Sequence, residues 1–400
     1  RAGEARTAFE EAVAALARVP AEPGTESFFD DRRSPYLSMV DLLVSENKGT
    51  DAFVWTEHAR QRALSDLLGS DGVIVSKGLT QAERDEERRL KRESRTLSVR
   101  IRRERARATP NADRVSELQA EFARLQAARD AARLALYEAH PVLKVLRGQR
   151  DPIGVDRATA LLADDKTAVL SYVVSEARTW VFVITRDPAS GQAALQQTAT
   201  IEITAADLLK SVDTFVRAVA TKGDGVSEAS LGLRKLLIDP VQASLAGRVR
   251  LVVIPDAFLW TVPFEALQDV SGRYLIEDAS VSYGLSVTAL ASMAASPHLR
   301  PHRPSVVVVA NPRLQKSAEE RIALMRPASV KPAHNAEHEV RGIAALFGPA
   351  ASRILLGDKA GAARILQETS NGSILHVAAP VFVSNASPLF STLTLTPANN

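Results

Sequence analysis

Arg250-Leu251-Val252-Val253-Ile254-Pro255-Asp256-Ala257-Phe258-Leu259-Trp260-Thr261-Val262-Pro263-Phe264-Glu265-Ala266-Leu267 is the stretch that decides the fold. It opens on a short continuous apolar run closed by a proline-led turn. Such a run reads as a strand buried on both faces. Ser305–Ala310, Arg353–Leu356 and Ile374–Ala378 are runs of the same kind, and helical patterns at Ala336–Phe347 and Lys359–Glu368 alternate with them. That alternation predicts an α/β fold, a mostly parallel sheet flanked by helices, with these four strands side by side. Asp256, at the end of the first strand, has two readings. It shapes a pocket for a basic substrate side chain, or it is a turn residue bonding its own backbone, and the second needs less.

Working towards the N-terminus, Ala168–Val174 and Trp180–Ile184 are strand-like runs joined by Ser175-Glu176-Ala177-Arg178, a hairpin signal. Leu195–Ile203 is a further strand. Ala205–Ala220 and Ser227–Ile238 read as helices, with Pro240 interrupting or bending the second. Pro141, Gly148 and Pro152 mark a linker before this region.

Residues 79–140 predict two antiparallel helices. Gln81 to Ala108 is dense in arginine and glutamate, with a thin apolar seam at Leu90, Leu97 and Ile101. After the break at Pro110-Asn111, Val115, Leu118, Phe122, Leu125, Ala132, Leu136 and Ala139 keep heptad steps with one gap at Arg129. A basic arm of this kind has a nucleic-acid reading. The preferred reading is a solvated coiled-coil face of mixed charge, so no nucleic-acid partner is expected.

Residues 1–72 read as helices. Ala8, Val13, Leu16 and Val19 form one stripe. Ser34 then Pro35 fits an N-cap followed by proline at the first helical position. Thr50-Asp51 opens another helix and Gly69 suits its stop.

Apolar content of 46% and charged content of 24% place the chain among globular proteins, and 400 residues suggest two or three domains. A net charge of +3 is too small for the whole chain to bind polyanions. The chain has no cysteine, which excludes disulfides and thiolate metal sites and fits a reducing, cytoplasmic compartment. No apolar run approaches the ~20 residues that span a bilayer. The chain opens Arg1-Ala2-Gly3-Glu4 without methionine and stops after a strand-like run, so both ends are expected to be cuts in a longer protein.

Several segments together resemble the CHAT domain, the caspase- and separase-like cysteine peptidases. Arg250–Leu267 is similar to its L-x-I-x-P-D-G-x-L-x-x-L-P-F-E-A-L signature. Tyr283–Leu290 is similar to Y-x-P-S-x-x-x-L, and Val307–Pro312 to the following strand with its N/D-P turn. Glu339–Phe347 resembles the E-x-x-x-I-A-x-x-F helix, and Pro388–Leu395 the P-x-x-S-x-L-x-L run. Ala52-Phe53-Val54-Trp55-Thr56-Glu57-His58-Ala59-Arg60 resembles the A-F-x-x-x-E-x-x-R helix of the tetratricopeptide-type repeats that precede many such domains. The implied organisation is a repeat-like region at 1–72, a helical hairpin at 79–140 and a caspase-like domain from 155 to 400, cut before its nucleophile strand.

The resemblance also sets the chemistry. The family uses a thiolate nucleophile and a histidine base. Its histidine strand reads L-H-x-A-T-H-G, and here Ser373–Pro380 keeps the first histidine, His376, but has Pro380 at the place of the second. The implied module is peptidase-like, inactive as written, without a cofactor, and engaged with a protein or peptide partner through its helices. The alternative is a fragment of an active peptidase whose cysteine lies beyond residue 400. His376 itself is either a displaced base or a hydrogen-bonded structural histidine, the latter preferred.

Two rival motifs remain. His334-Asn335-Ala336-Glu337-His338 spells H-x-x-E-H, in which His334 and His338 share a zinc and Glu337 is the base. Glu339 or Glu368 would be the third ligand, which no further motif indicates, so the match is weighed as a polar helix start. Gly284-Leu285-Ser286-Val287-Thr288 falls one residue short of a G-x-S-x-G elbow, and Ser286 reads instead as a helix N-cap.

Overall fold

The computed structural model describes residues 2–18, 26–69, 79–107, 109, 111–140, 154–162, 164–221, 225–294, 305–313, 334–369, 373–382 and 392–397. They fall into two compact units, one built mainly from Phe29–Ser292 and one from Met293–Asn400.

The first unit begins with helices α1 (Ala2–Arg18), α2 (Glu26–Ser45) and α3 (Gly49–Gly69), followed by α4 (Gln81–Arg105) and α5 (Ala112–Ala139). Strands β1 (Thr167–Val174), β2 (Thr179–Arg186) and β3 (Ala193–Ile201) come next, then helices α6 (Ala205–Thr221) and α7 (Val226–Leu237). Strands β4 (Arg250–Ile254) and β5 (Ser280–Tyr283) and the helix α8 (Val287–Ala294) complete the run. The strand order is β3-β2-β1-β4-β5. β1, β2 and β3 are antiparallel neighbours, whereas β4 runs parallel to β1 and β5 parallel to β4.

Alternation along the strands explains the layers. Leu170, Tyr172, Val181, Val183, Leu251 and Val253 point to one face, where Leu208, Val212 and Phe215 of α6 and Leu233 and Leu237 of α7 cover them. Val169, Val173, Phe182, Ile184 and Ile254 point to the other, under Met39, Val40 and Leu43 of α2 and Ala52 and Phe53 of α3. Both faces are apolar because both are covered. The N-terminal helices are thus a layer of this sheet's own core.

Pro35 corrects one expectation. It lies inside α2, which starts at Glu26, rather than opening a helix. Proline removes one backbone donor there, but Tyr36, Met39, Val40 and Leu43 just beyond it are buried, and tertiary burial outweighs the local start signal. Pro240 behaves as expected: α7 ends at Leu237 and a 3-10 turn, Asp239–Leu245, carries the proline near its start.

α4 and α5 pack against each other along part of the apolar seam. Leu90, Leu97, Leu118 and Leu136 are buried, while Val115, Phe122 and Leu125 are half-buried. His140 meets Glu83 at 2.9 Å and Arg129 meets Ser94 at 3.2 Å, so the two helices run in opposite directions. Arg129, the gap in the heptads, is a polar layer facing Ser94, and its guanidinium pKa is lowered by burial. None of these residues joins the two cores of the sheet.

The second unit holds β6 (Ser305–Pro312), α9 (His334–Phe347), β7 (Ser352–Gly357), α10 (Ala362–Glu368), β8 (Ser373–Ala378) and the two-residue strands β9 (Val381–Phe382) and β10 (Thr392–Leu393). Its sheet is β7-β6-β8, all parallel. Val306, Val308 and Ala310 pack under α9, and Val307 and Val309 pack on the other face with Ile365 of α10. The four apolar strands therefore do not lie in one sheet: β4 belongs to the five-stranded sheet, and β6, β7 and β8 to the three-stranded one. An apolar run specifies burial on both faces, not which strand lies beside it. The α/β class and the parallel pairing of the three C-terminal strands stand.

Candidate functional site

In open parallel sheets, ligands sit outside the C-terminal strand ends, where successive connections leave in opposite directions. Here β6 connects outward to β7 through α9, and β7 returns to β8 through α10 on the other face. The crevice position is therefore outside the ends of β6 and β8. Asn311 stands there with φ 46°, in the left-handed region that asparagine tolerates better than most residues. Across from it the chain leaves β8 through Ala379 and Pro380. Pro380 offers its carbonyl to the Thr394 amide at 2.9 Å and brings no side chain able to carry a proton.

The strand ends are strapped by the last described segment. Thr396 donates its amide to the Ala360 carbonyl at 3.0 Å. Its hydroxyl donates to the Gly357 carbonyl at 2.7 Å and accepts the Arg313 amide at 2.9 Å. Arg313 and Asp358 pair at 3.0 Å over the ends of β6 and β7. Thr396, Gly357, Ala360 and the Arg313 amide are thus tied to one another at this edge.

His376 sits in β8 opposite Val308, with a half-buried ring. Its Nε2 lies 2.7 Å from Oε1 of Glu339 on α9. The ring is thus engaged by the covering helix, within the strand rather than in the loop that follows it. Glu339 was not singled out as its partner; it stands four residues before Ile343, whose side chain packs into the α9 core.

The residues of the H-x-x-E-H run and its candidate third ligands have the following surroundings. α9 starts at His334, whose side chain lies outside the described residues, and His338 is exposed. Glu337 accepts from Arg341 at 2.5 Å, Glu339 is taken by His376, and Glu368 pairs with Arg364 at 2.5 Å. Among the described residues, no group of three His, Asp or Glu side chains has metal-holding geometry.

In the first unit, Asp256 departs from both sequence readings. Its carboxylate accepts the Val174 amide at 2.8 Å and pairs with Arg33 of α2 at 2.6 Å. It caps the end of β1 and ties α2 to the sheet, because β1 and β4 are parallel neighbours that end together. The next residue, Ala257, has φ 48°, a conformation that glycine adopts freely and alanine does not.

Ser286 is the N-cap expected, its hydroxyl accepting the Ala289 amide at 2.9 Å. The larger device at that helix start was not foreseen. Glu57, fully buried, accepts the Val287 amide at 3.3 Å and the Thr288 amide and hydroxyl at 2.7 Å each. Arg60, one turn on, pairs with Glu57 at 3.2 Å and donates to the Ser171 hydroxyl at 2.8 Å and to the Tyr172 carbonyl. The A-F-x-x-x-E-x-x-R pattern is therefore used against the sheet: Ala52 and Phe53 fill its core, and Glu57 and Arg60 satisfy its polar groups. The signal was the pair itself, since Glu and Arg beside apolar core positions need buried partners.

The signature's Pro263-Phe264-Glu265 closes the unit's other side. Tyr283 accepts the Phe264 amide at 2.9 Å and donates to Glu265 at 2.5 Å, and burial, then that hydrogen bond, push its phenol pKa up.

The family model of the CHAT domain matches residues 228–400. No curated protein matches the chain. Among the described residues, no helix is long and apolar enough to cross a membrane.

Proposed function

We propose that this chain, whose residues 228–400 match the CHAT domain, a caspase-like module of a peptidase family, cleaves nothing itself and serves as an interaction or regulatory module. The observation that carries this reading is the state of the dyad. The chain holds no cysteine, Pro380 stands at the histidine position, and His376 is engaged by Glu339. Covalent peptidase chemistry needs a nucleophile and a base within ~3 Å of each other. Here neither the thiolate nor a loop imidazole is present to be brought together. The repeat-like pattern of α3 is, on this reading, a docking layer for the sheet as well as part of a partner surface. A cytoplasmic setting is part of the same proposal.

The test compares wild type with Pro380→His against a fluorogenic peptide library. Both are expected at the buffer baseline, because a restored loop histidine has no thiolate to serve. Turnover by Pro380→His that disappears on reversion would overturn the reading.

A further inference from the structure

The hairpin's two halves are electrostatically unlike. In the proximal half of α4, Arg88 pairs with Asp85 at 3.1 Å, and Arg89 pairs with Glu86 at 2.7 Å and with Glu93 at 2.8 Å. The distal stretch 95–107 holds six arginines, Arg95, Arg100, Arg102, Arg103, Arg105 and Arg107, and one carboxylate of its own, Glu104, which is buried and paired with Arg107. That surplus exceeds the +3 of the entire chain, so the basic character of the molecule is concentrated here.

Arg92, Arg100 and Arg103 are exposed and make no ion pair among the described residues. At 3.6 residues per turn, Arg92, Thr96, Val99 and Arg103 form one stripe about 16 Å long, with Arg100 beside it. Val99, 36% exposed, lies within the stripe. We propose that this stripe is a docking surface for an acidic protein segment, a helix with carboxylates on one face and an apolar side chain between them.

Three observations favour that partner over nucleic acid. An apolar residue within the arginine stripe matches a protein side chain, not a phosphate backbone. The hairpin's aromatic residues, Phe122 and Tyr137, are half-buried and buried, so none is presented for base stacking. The neighbouring helix carries exposed Asp113, Glu117 and Glu121, which repel a continuous polyanion but leave room for discrete carboxylates. Guanidinium groups suit such carboxylates because their paired donors match the two oxygens. The surface is separate from the peptidase-like sheet, so the inference holds or fails independently of whether the chain cleaves peptides.

The experiment titrates the full chain, at low salt, into a labelled 20-residue helical peptide bearing three glutamates and a leucine on one face. A twin with glutamines in place of the glutamates and a 20-nucleotide single-stranded DNA are the comparison probes. The glutamate peptide should bind at least about tenfold more tightly than either probe. Arg92→Gln/Arg100→Gln/Arg103→Gln should weaken it roughly tenfold, whereas Arg88→Gln/Arg89→Gln should stay within about twofold, circular dichroism confirming that both variants keep their helices. Equal binding of the twin peptides, undiminished binding by the distal variant, or tighter binding of the DNA would overturn the proposal.

Discussion

Glu57→Ala is the substitution from which the structure predicts most. The carboxylate is fully buried and satisfies two amides, one hydroxyl and one guanidinium. Removing it strands Arg60, whose side chain is only 11% exposed, and breaking one side of a buried pair costs about 3–5 kcal/mol. Loss of the cap on α8 falls within that range, typically ~1 kcal/mol of it. Glu57→Gln keeps the shape and one acceptor, so about 2 kcal/mol is expected. Replacing both residues by methionine removes the stranded charge, and the double variant should cost about 1–3 kcal/mol less than the two single changes together. The assay is urea unfolding followed by tryptophan fluorescence. Trp55, Trp180 and Trp260 all lie in the first unit, so the signal reports that unit alone. Single variants within about 1 kcal/mol of wild type, or strict additivity in the double variant, would refute the reasoning.

Other expectations follow from particular residues. Ala257→Gly should raise the stability of the first unit by up to ~1 kcal/mol, and Ala257→Val should lower it by roughly 1–2 kcal/mol, because φ 48° penalises a side chain; the same urea curves read both. Leu118→Ala, at a position 3% exposed, should cost about 2–3 kcal/mol and appear as lost helical circular dichroism with unchanged tryptophan emission. Glu83 is held at about 2 by its hydrogen bond from His140 and then by the Thr80 amide and hydroxyl. A lowered folded pKa gives stability that is present above 4.5 and lost as pH falls from there towards 2. Amide exchange at the base of the hairpin should speed up across that window, and Glu83→Gln should flatten the dependence.

How much was legible depended on whether the cue was local. The strands at Leu251–Ile254 and Val306–Ala310, the helical hairpin and the Ser286 cap each announce themselves within a few residues, and the structure has them. The division into two sheets does not: β4 and β6 carry near-identical apolar runs, and only their three-dimensional neighbours separate them. The partners of Asp256, Glu57 and His376 were hidden for the same reason. Arg33 is 223 positions from Asp256, and Glu57 is 231 from Thr288. Pro35 misled because local backbone chemistry marks a helix start, while burial of Met39 and Leu43 decided it.

The central claim, that this chain does not itself cleave peptides, is tested most directly by turnover of a mixed peptide library by the purified wild-type protein, with and without added zinc, beside a metal analysis of the same sample. The account predicts no cleavage in either condition. Cleavage that depends on zinc and is lost in His334→Ala, or cleavage without metal that is lost in His376→Ala, would contradict it.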